Sequence, residues 1–210
     1  MEPRGSKTDE LGYSKVKRVF VIAMECEAEA VRSGLREGDD VVVSGIGKVF
    51  AAAATQRAIS ELGADEVVNC GLCGGFGDGI EVGDVYGVEC SVEYDFDLSN
   101  VNGTAVGVKD GATTPYIPVS SGGGFPLRRL ATGDRFNDDE ADVGLLASLG
   151  CTLRDMEGAA VAGVCAANGV RCVMFKCVSD VHGRGAMTGQ YLANRERALE
   201  CLSRAASYLT

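Results

Sequence analysis

The chain has no tryptophan, a single histidine (His182) and four prolines in 210 residues. With one histidine, a site built on several imidazoles is excluded, and a zinc centre would have to rest on cysteine and carboxylate. No apolar run reaches the roughly 18 residues of a membrane-spanning helix. Basic clusters are missing as well. A formal net charge of −10, with no local run of Lys and Arg to offset it, disfavours binding to a phosphate backbone and excludes nucleic acid as the expected partner. The first sixteen residues are polar and mixed in charge, without the apolar stretch of an export signal. They are expected to form a frayed tail, and the protein to be cytoplasmic.

What is present reads as an ordinary globular chain, 46% apolar and 24% charged, long enough for one domain with a real core over residues 17–210. Nine cysteines fall inside apolar or helical segments, an odd number without a loop-based framework, so they are read as reduced thiols packed as small hydrophobes. Cys70-Gly-Leu-Cys73 is the one C-x-x-C. It ends a mid-chain strand, has no second pair or histidine beside it, and is read as neither a metal site nor a redox motif. No metal and no cofactor are expected.

Hydrophobic periodicity and turn signals predict strands at 17–23, 41–44, 66–70 and 171–178, and helices at 25–34, 138–149, 156–168 and 190–208, with a further alanine-rich helix that follows the turn at 45–49 and ends near residue 62. Residues 84–109 alternate without helical spacing and suggest a strand-rich excursion. Residues 111–126, rich in Gly, Ser, Thr and Pro, read as a surface loop, and 130–134 as a strand end and turn. Alternating strands and helices predict an α/β fold: a single-domain three-layer α/β/α sandwich around a mixed, mostly parallel twisted sheet.

Several acids and glycines sit where such sheets bind ligands, at the carboxyl ends of strands. Gly45-Ile-Gly47 lacks the third glycine of a dinucleotide fingerprint and is better explained as a tight strand-to-helix turn. Gly71 to Gly75 would let a ligand approach the backbone closely, or simply let the strand end. Asp155 fits an N-cap for the helix at 156–168. Glu157 in that helix's first turn is favoured by the dipole alone, and equally suits a functional carboxylate. Asp180 ends the last core strand, and Glu25 and Glu27 follow the first. Their shared placement at strand ends points to one site.

The chain resembles the purine nucleosidase and nucleoside phosphorylase superfamily, most closely the 5'-methylthioadenosine/S-adenosylhomocysteine nucleosidases. The resemblance runs from Val19 to Leu209 and rests on eight motifs in order: Ala23-Met-Glu-Cys-Glu27, Ser44-Gly-Ile-Gly-Lys48, Asn69-Cys-Gly-Leu-Cys-Gly-Gly75, Val82-Gly-Asp-Val85, Tyr94-Asp-Phe-Asp97, Thr132-Gly-Asp-Arg-Phe136, Asp155-Met-Glu-Gly158 and Val178-Ser-Asp180. It implies that Asp180 protonates N7 of a purine, that Glu27 activates water, and that Glu157 accepts hydrogen bonds from the ribose hydroxyls. It further implies that Met156 packs on the sugar and Phe136 on the base. Asn137, Cys73, Gly74 and Ser179 would complete the substrate contacts.

The implied reaction is hydrolysis of the N-glycosidic bond of 5'-modified adenine nucleosides by a homodimer, with residues 95–116 facing the neighbour. The family's phosphorylases hold phosphate at positions occupied here by Asn69 and Leu72. Leu72 also replaces a serine common in bacterial nucleosidases, and Lys176 stands where they usually carry arginine. The rival readings are hydrolysis of another nucleoside such as futalosine, phosphorolysis, and nucleoside binding without turnover.

Overall fold

The computed structural model describes residues 16–120, 122–136 and 139–209, so most of the expected N-terminal tail lies outside the described residues. Its centre is a strand buried on both faces. β1 (Arg18–Ile22) sends Val19 and Val21 into one core and Phe20 and Ile22 into another, because successive side chains of a strand point to opposite faces. Two helix layers cover those faces. α2 (Lys48–Ser60) and α5 (Gly158–Asn168) pack on the first through Ala51, Ala54, Ala58 and Ala162, small residues that let the helices approach. On the second face lie α1 (Glu25–Val31), which continues into a 3-10 turn, and the 20-residue amphipathic α6 (Met187–Ala206).

The sheet is mixed and mostly parallel, as expected. β1 lies between β2 (Asp40–Val43) and β3 (Glu66–Gly75), parallel to both. β3 runs parallel to β8 (Arg171–Val181). Beyond β8 come β4 (Val85–Glu93), antiparallel to it, the two-residue β5 (Ile117–Pro118), and β6 (Leu127–Thr132), parallel to β4. A short strand, β7 (Leu153–Asp155), joins β6 to the far end of β3. Strands β3, β8, β4, β6 and β7 thus close into a ring, with β1 and β2 extending from β3. Closure is possible because β1 pairs with β3 only as far as Asn69. The edge at Gly74 and Gly75 is left for β7.

The structure moves several boundaries. β3 continues through Gly71–Gly75, which sequence alone read as a closing turn. The excursion after residue 84 is strand only to Glu93, and a four-residue helix, α3 (Ser99–Asn102), follows. β7 was not anticipated. α5 starts at Gly158, so Asp155 ends a strand and is not the N-cap; Glu157 occupies that position. β8 reaches Val181, and Asp180 therefore lies within it. α4 (Glu140–Ser148) forms where a helix was expected and closes a third, smaller core with Phe76, Tyr94 and Leu146.

Candidate active site

The carboxyl ends of β1, β3, β7 and β8 and the first turns of α6 surround a cavity of about 500 Å³. Glu27, Glu157 and Asp180 all line it, as do Met156, Phe136, Cys73, Gly74 and Ser179. Asn137 lies outside the described residues.

Glu27 is buried, and main-chain N–H groups hold both its oxygens. Leu72 donates to Oε1 at 2.7 Å and Met24 donates to Oε2 at 3.1 Å. Gly71 makes the approach possible: a Cβ there would lie 2.6 Å from Glu27 Oε1. Burial pushes the Glu27 carboxyl above its ordinary value, against the opposing pull of the Leu72 N–H and Lys176. A carboxylate raised in this way is a better proton acceptor at neutral pH.

Glu157 is fixed from a distant part of the chain. The N–H of Gly47, at the start of α2, donates to Glu157 Oε1 at 2.8 Å. Gly47 has φ 103°, a conformation glycine adopts readily. Lys48 braces the same turn, with Nζ 2.7 Å from Glu93 and 2.6 Å from Asp95. The Gly45-Ile-Gly47 turn thus presents its N–H to a carboxylate of the protein. Burial, then the negative charge of Asp155, pushes Glu157 up to about 7.

Asp180 is 1% exposed. Ser179 Oγ donates to its Oδ1 at 2.7 Å, and Gly74, its partner in the β3–β8 register, leaves room for Oδ2 where a Cβ would come within 3.0 Å. Asp180 and Glu27 are therefore set along β3, one over Gly74 and one over Gly71, three residues or roughly 10 Å of strand apart.

Beneath these groups lies an ion pair that the resemblance did not supply. Lys176 Nζ meets Asp155 Oδ2 at 2.8 Å, with both side chains almost wholly buried. Asp155 Oδ1 accepts from Thr132 Oγ1 at 2.6 Å, and its Oδ2 accepts from Gly158 N at 2.9 Å. Burial alone would lower the Lys176 ammonium, yet Asp155, Glu157 and Glu27 together hold it above the usual lysine value. A lysine inside the apolar run Met174-Phe-Lys-Cys-Val178 was the sequence signal for this pair.

Other wall residues were missed. Met187, Thr188, Tyr191 and Leu192 line the cavity from α6, and Tyr191 meets the Phe136 ring edge-on at 5.9 Å between centroids. Spacings of four along a helix share a face, a pattern that starting α6 at residue 190 cut in half. Cys70 and Cys73 belong to opposite cores, so the C-x-x-C is a strand segment whose thiols face apart. Burial also holds the Cys73 thiol well above its usual range.

The arrangement places a buried acid and a raised, backbone-held carboxylate along one cavity, with a third carboxylate beside them. It can give a proton to one part of a bound molecule and take one from a water attacking another.

Known proteins resemble this chain in sequence and in fold. The family model described as the phosphorylase superfamily matches residues 26–210. A 5'-methylthioadenosine/S-adenosylhomocysteine nucleosidase of Colwellia psychrerythraea is 30% identical over 86% of this chain and 83% of its own length. The structure of an Arabidopsis thaliana 5'-methylthioadenosine nucleosidase superposes with a TM-score of 0.77 at 27% identity, covering 91% of this chain and 93% of that one. A futalosine hydrolase of Helicobacter pylori, with a TM-score of 0.82 at 20% identity over 92% and 97% of the two chains, shares the fold. By sequence and by fold, the chain belongs to the phosphorylase superfamily and, within it, to the 5'-methylthioadenosine/S-adenosylhomocysteine nucleosidases.

Proposed function

We propose that this chain is an N-glycosyl hydrolase that releases adenine from 5'-modified adenosines such as 5'-methylthioadenosine and S-adenosylhomocysteine. The observation that carries the reading is the convergence of Glu27, Glu157 and Asp180 on one cavity. Asp180 gives its proton to N7, and the electron pair of the glycosidic bond leaves with the base. Water attacks the anomeric carbon and passes a proton to Glu27. General acid–base help of this kind supplies roughly 10²–10⁴-fold. Glu157 accepts from the sugar hydroxyls, Met156 packs against the sugar, and Phe136 covers the base, which also meets Cys73, Gly74 and Ser179.

Water is favoured over phosphate as nucleophile by the use already made of the polar groups on β3. Asn69 Nδ2 donates to Val21 O at 2.8 Å, and the Leu72 N–H is spent on Glu27. A dianion there would meet a buried carboxylate instead of charge-assisted donors. The test is product analysis on 5'-methylthioadenosine with and without phosphate. Free pentose formed at a phosphate-independent rate supports the reading; a pentose 1-phosphate overturns it.

The same reading makes residues 17–210 one domain and the working unit a cytoplasmic homodimer. In support of the dimer, Ile46 and Leu192, which line the cavity, and Val49 and Phe50 in the first turn of α2 expose 52–77% of their surface, apolar area a second copy would cover. Sedimentation equilibrium at a monomer mass would remove the dimer.

A further inference from the structure

Arg154 is a charged side chain of this cavity that the acid–base reading does not use. It stands on β7 between Leu153 and Asp155, is 4% exposed, and forms part of the cavity wall. Arginine is rarely buried unless its donors find partners. Here the guanidinium lies 5.3 Å from the centre of the Phe76 ring, with Nη2 3.0 Å from Met187 Sδ. The Met187 methyl and Asp180 Oδ2 crowd the same side of Gly74, 3.6 and 3.0 Å from the point a Cβ would occupy. The guanidinium is thereby assigned to the Asp180 end of the cavity, where the base is held, while Glu27 works three residues back along β3.

Arginine offers only donors and stays charged. A purine carries beside N7 either an amino group, as in adenine, or a carbonyl oxygen. O6 and N7 together form a pair of acceptors, and the arginine fork suits an oxygen there and not an amino group. For a 6-amino base the acceptor must come from the Asp180 carboxylate, and the guanidinium gains nothing. For a 6-oxo base, Asp180 can serve N7 and Arg154 can serve O6. A fixed cation at O6 also stabilises the negative charge that reaches that oxygen as the glycosidic electron pair departs with the base.

We propose that Arg154 gives this chain a second substrate class, the 5'-modified nucleosides of 6-oxopurines, with O6 accepting a hydrogen bond from the guanidinium while Asp180 protonates N7. The proposal rests on the nucleosidase reading above and adds to it a determinant of base choice.

The experiment compares kcat/KM for 5'-methylthioinosine and 5'-methylthioadenosine in the wild-type protein and in Arg154→Met and Arg154→Lys. The expected result is cleavage of both nucleosides by the wild type. The oxo-to-amino ratio should fall at least about tenfold in Arg154→Met, with partial recovery in Arg154→Lys. An unchanged ratio overturns the proposal, as does a wild type that cleaves the adenosine compound and not the inosine one. If the wild type cleaves neither, the nucleosidase reading is what fails. Calorimetric titration with free hypoxanthine and free adenine then decides the role of Arg154. Hypoxanthine affinity lost in Arg154→Met supports it, and equal affinity in variant and wild type rejects it. Should Arg154→Met not fold, the wild-type titration stands alone: hypoxanthine bound at least as tightly as adenine supports the proposal, and adenine bound tenfold more tightly rejects it.

Discussion

Lys176 and Asp155 form an ion pair of 2.8 Å with each side chain no more than 2% exposed. Two more carboxylates, Glu27 and Glu157, act on the same ammonium. A lysine so placed balances part of a negative cluster that would otherwise be expensive to bury.

Removing the ammonium should therefore cost stability. Lys176→Met keeps the length of the side chain and leaves Asp155 buried without its cation, which typically costs about 3–5 kcal/mol. Urea denaturation checks this. A loss under about 1 kcal/mol would show that Asp155 is satisfied by Thr132 and Gly158 without the lysine.

The pH dependence of stability has a defined sign. Burial raises Glu157 from its ordinary value near 4.5 to about 7, so the native state holds this proton more tightly than the unfolded chain. Its contribution is complete below about pH 4.5 and is lost as pH rises through 7. Glu27, raised in the same direction by burial, adds to the decline. Melting temperature should fall across this window in wild-type protein and fall less steeply in Glu157→Gln. Parallel curves would contradict the assignment.

Asp180→Asn should abolish most turnover, by about 10²–10⁴-fold, because an amide cannot deliver the proton. The side chain keeps its size, so the circular dichroism spectrum should match the wild type. Near-normal activity would remove Asp180 from the reaction.

Gly71→Ala tests positioning without replacing a carboxylate. The backbone at Gly71 is not in the positive-φ region, so alanine is tolerated locally. Its methyl, however, would lie 2.6 Å from Glu27 Oε1 and must displace it. Misplacement of a reacting group by about 1 Å can cost roughly a hundredfold in rate, and kcat should carry most of the loss. An unchanged kcat would mean that Glu27 need not sit where Leu72 and Met24 hold it.

Much of this was legible before any coordinates. The alternation that sends Val19 and Phe20 into different cores produces a continuous apolar run, and such a run between helical patterns means a strand covered on both sides. The ordered motifs singled out Glu27 after the first strand, Glu157 in the first turn of a helix and Asp180 at the end of the last strand, and the structure puts all three in one cavity. β7 was invisible: three residues, one of them arginine, carry no period. The glycines after Cys70 looked like a stop signal because glycine weakens a strand; here they remain in β3, across a register shift between Cys73 and Gly74, and Glu27, Asp180 and Ile80 occupy the space of the missing side chains.

By itself the sequence determined the layers and the two-faced core, since those follow from local spacing, while the choice of Glu27, Glu157 and Asp180 among the candidate acids came from the ordered motifs of the family resemblance. Only the tertiary structure decided what each acid touches. The Gly47 N–H reaches Glu157 across 110 positions, Leu72 reaches Glu27 across 45, and Arg154 comes to the Asp180 end of the cavity through a strand that forms only when β6 and β3 offer it edges. Contacts of that kind depend on how the ring of strands closes, and closure is a property of pairing between distant segments that no local pattern encodes.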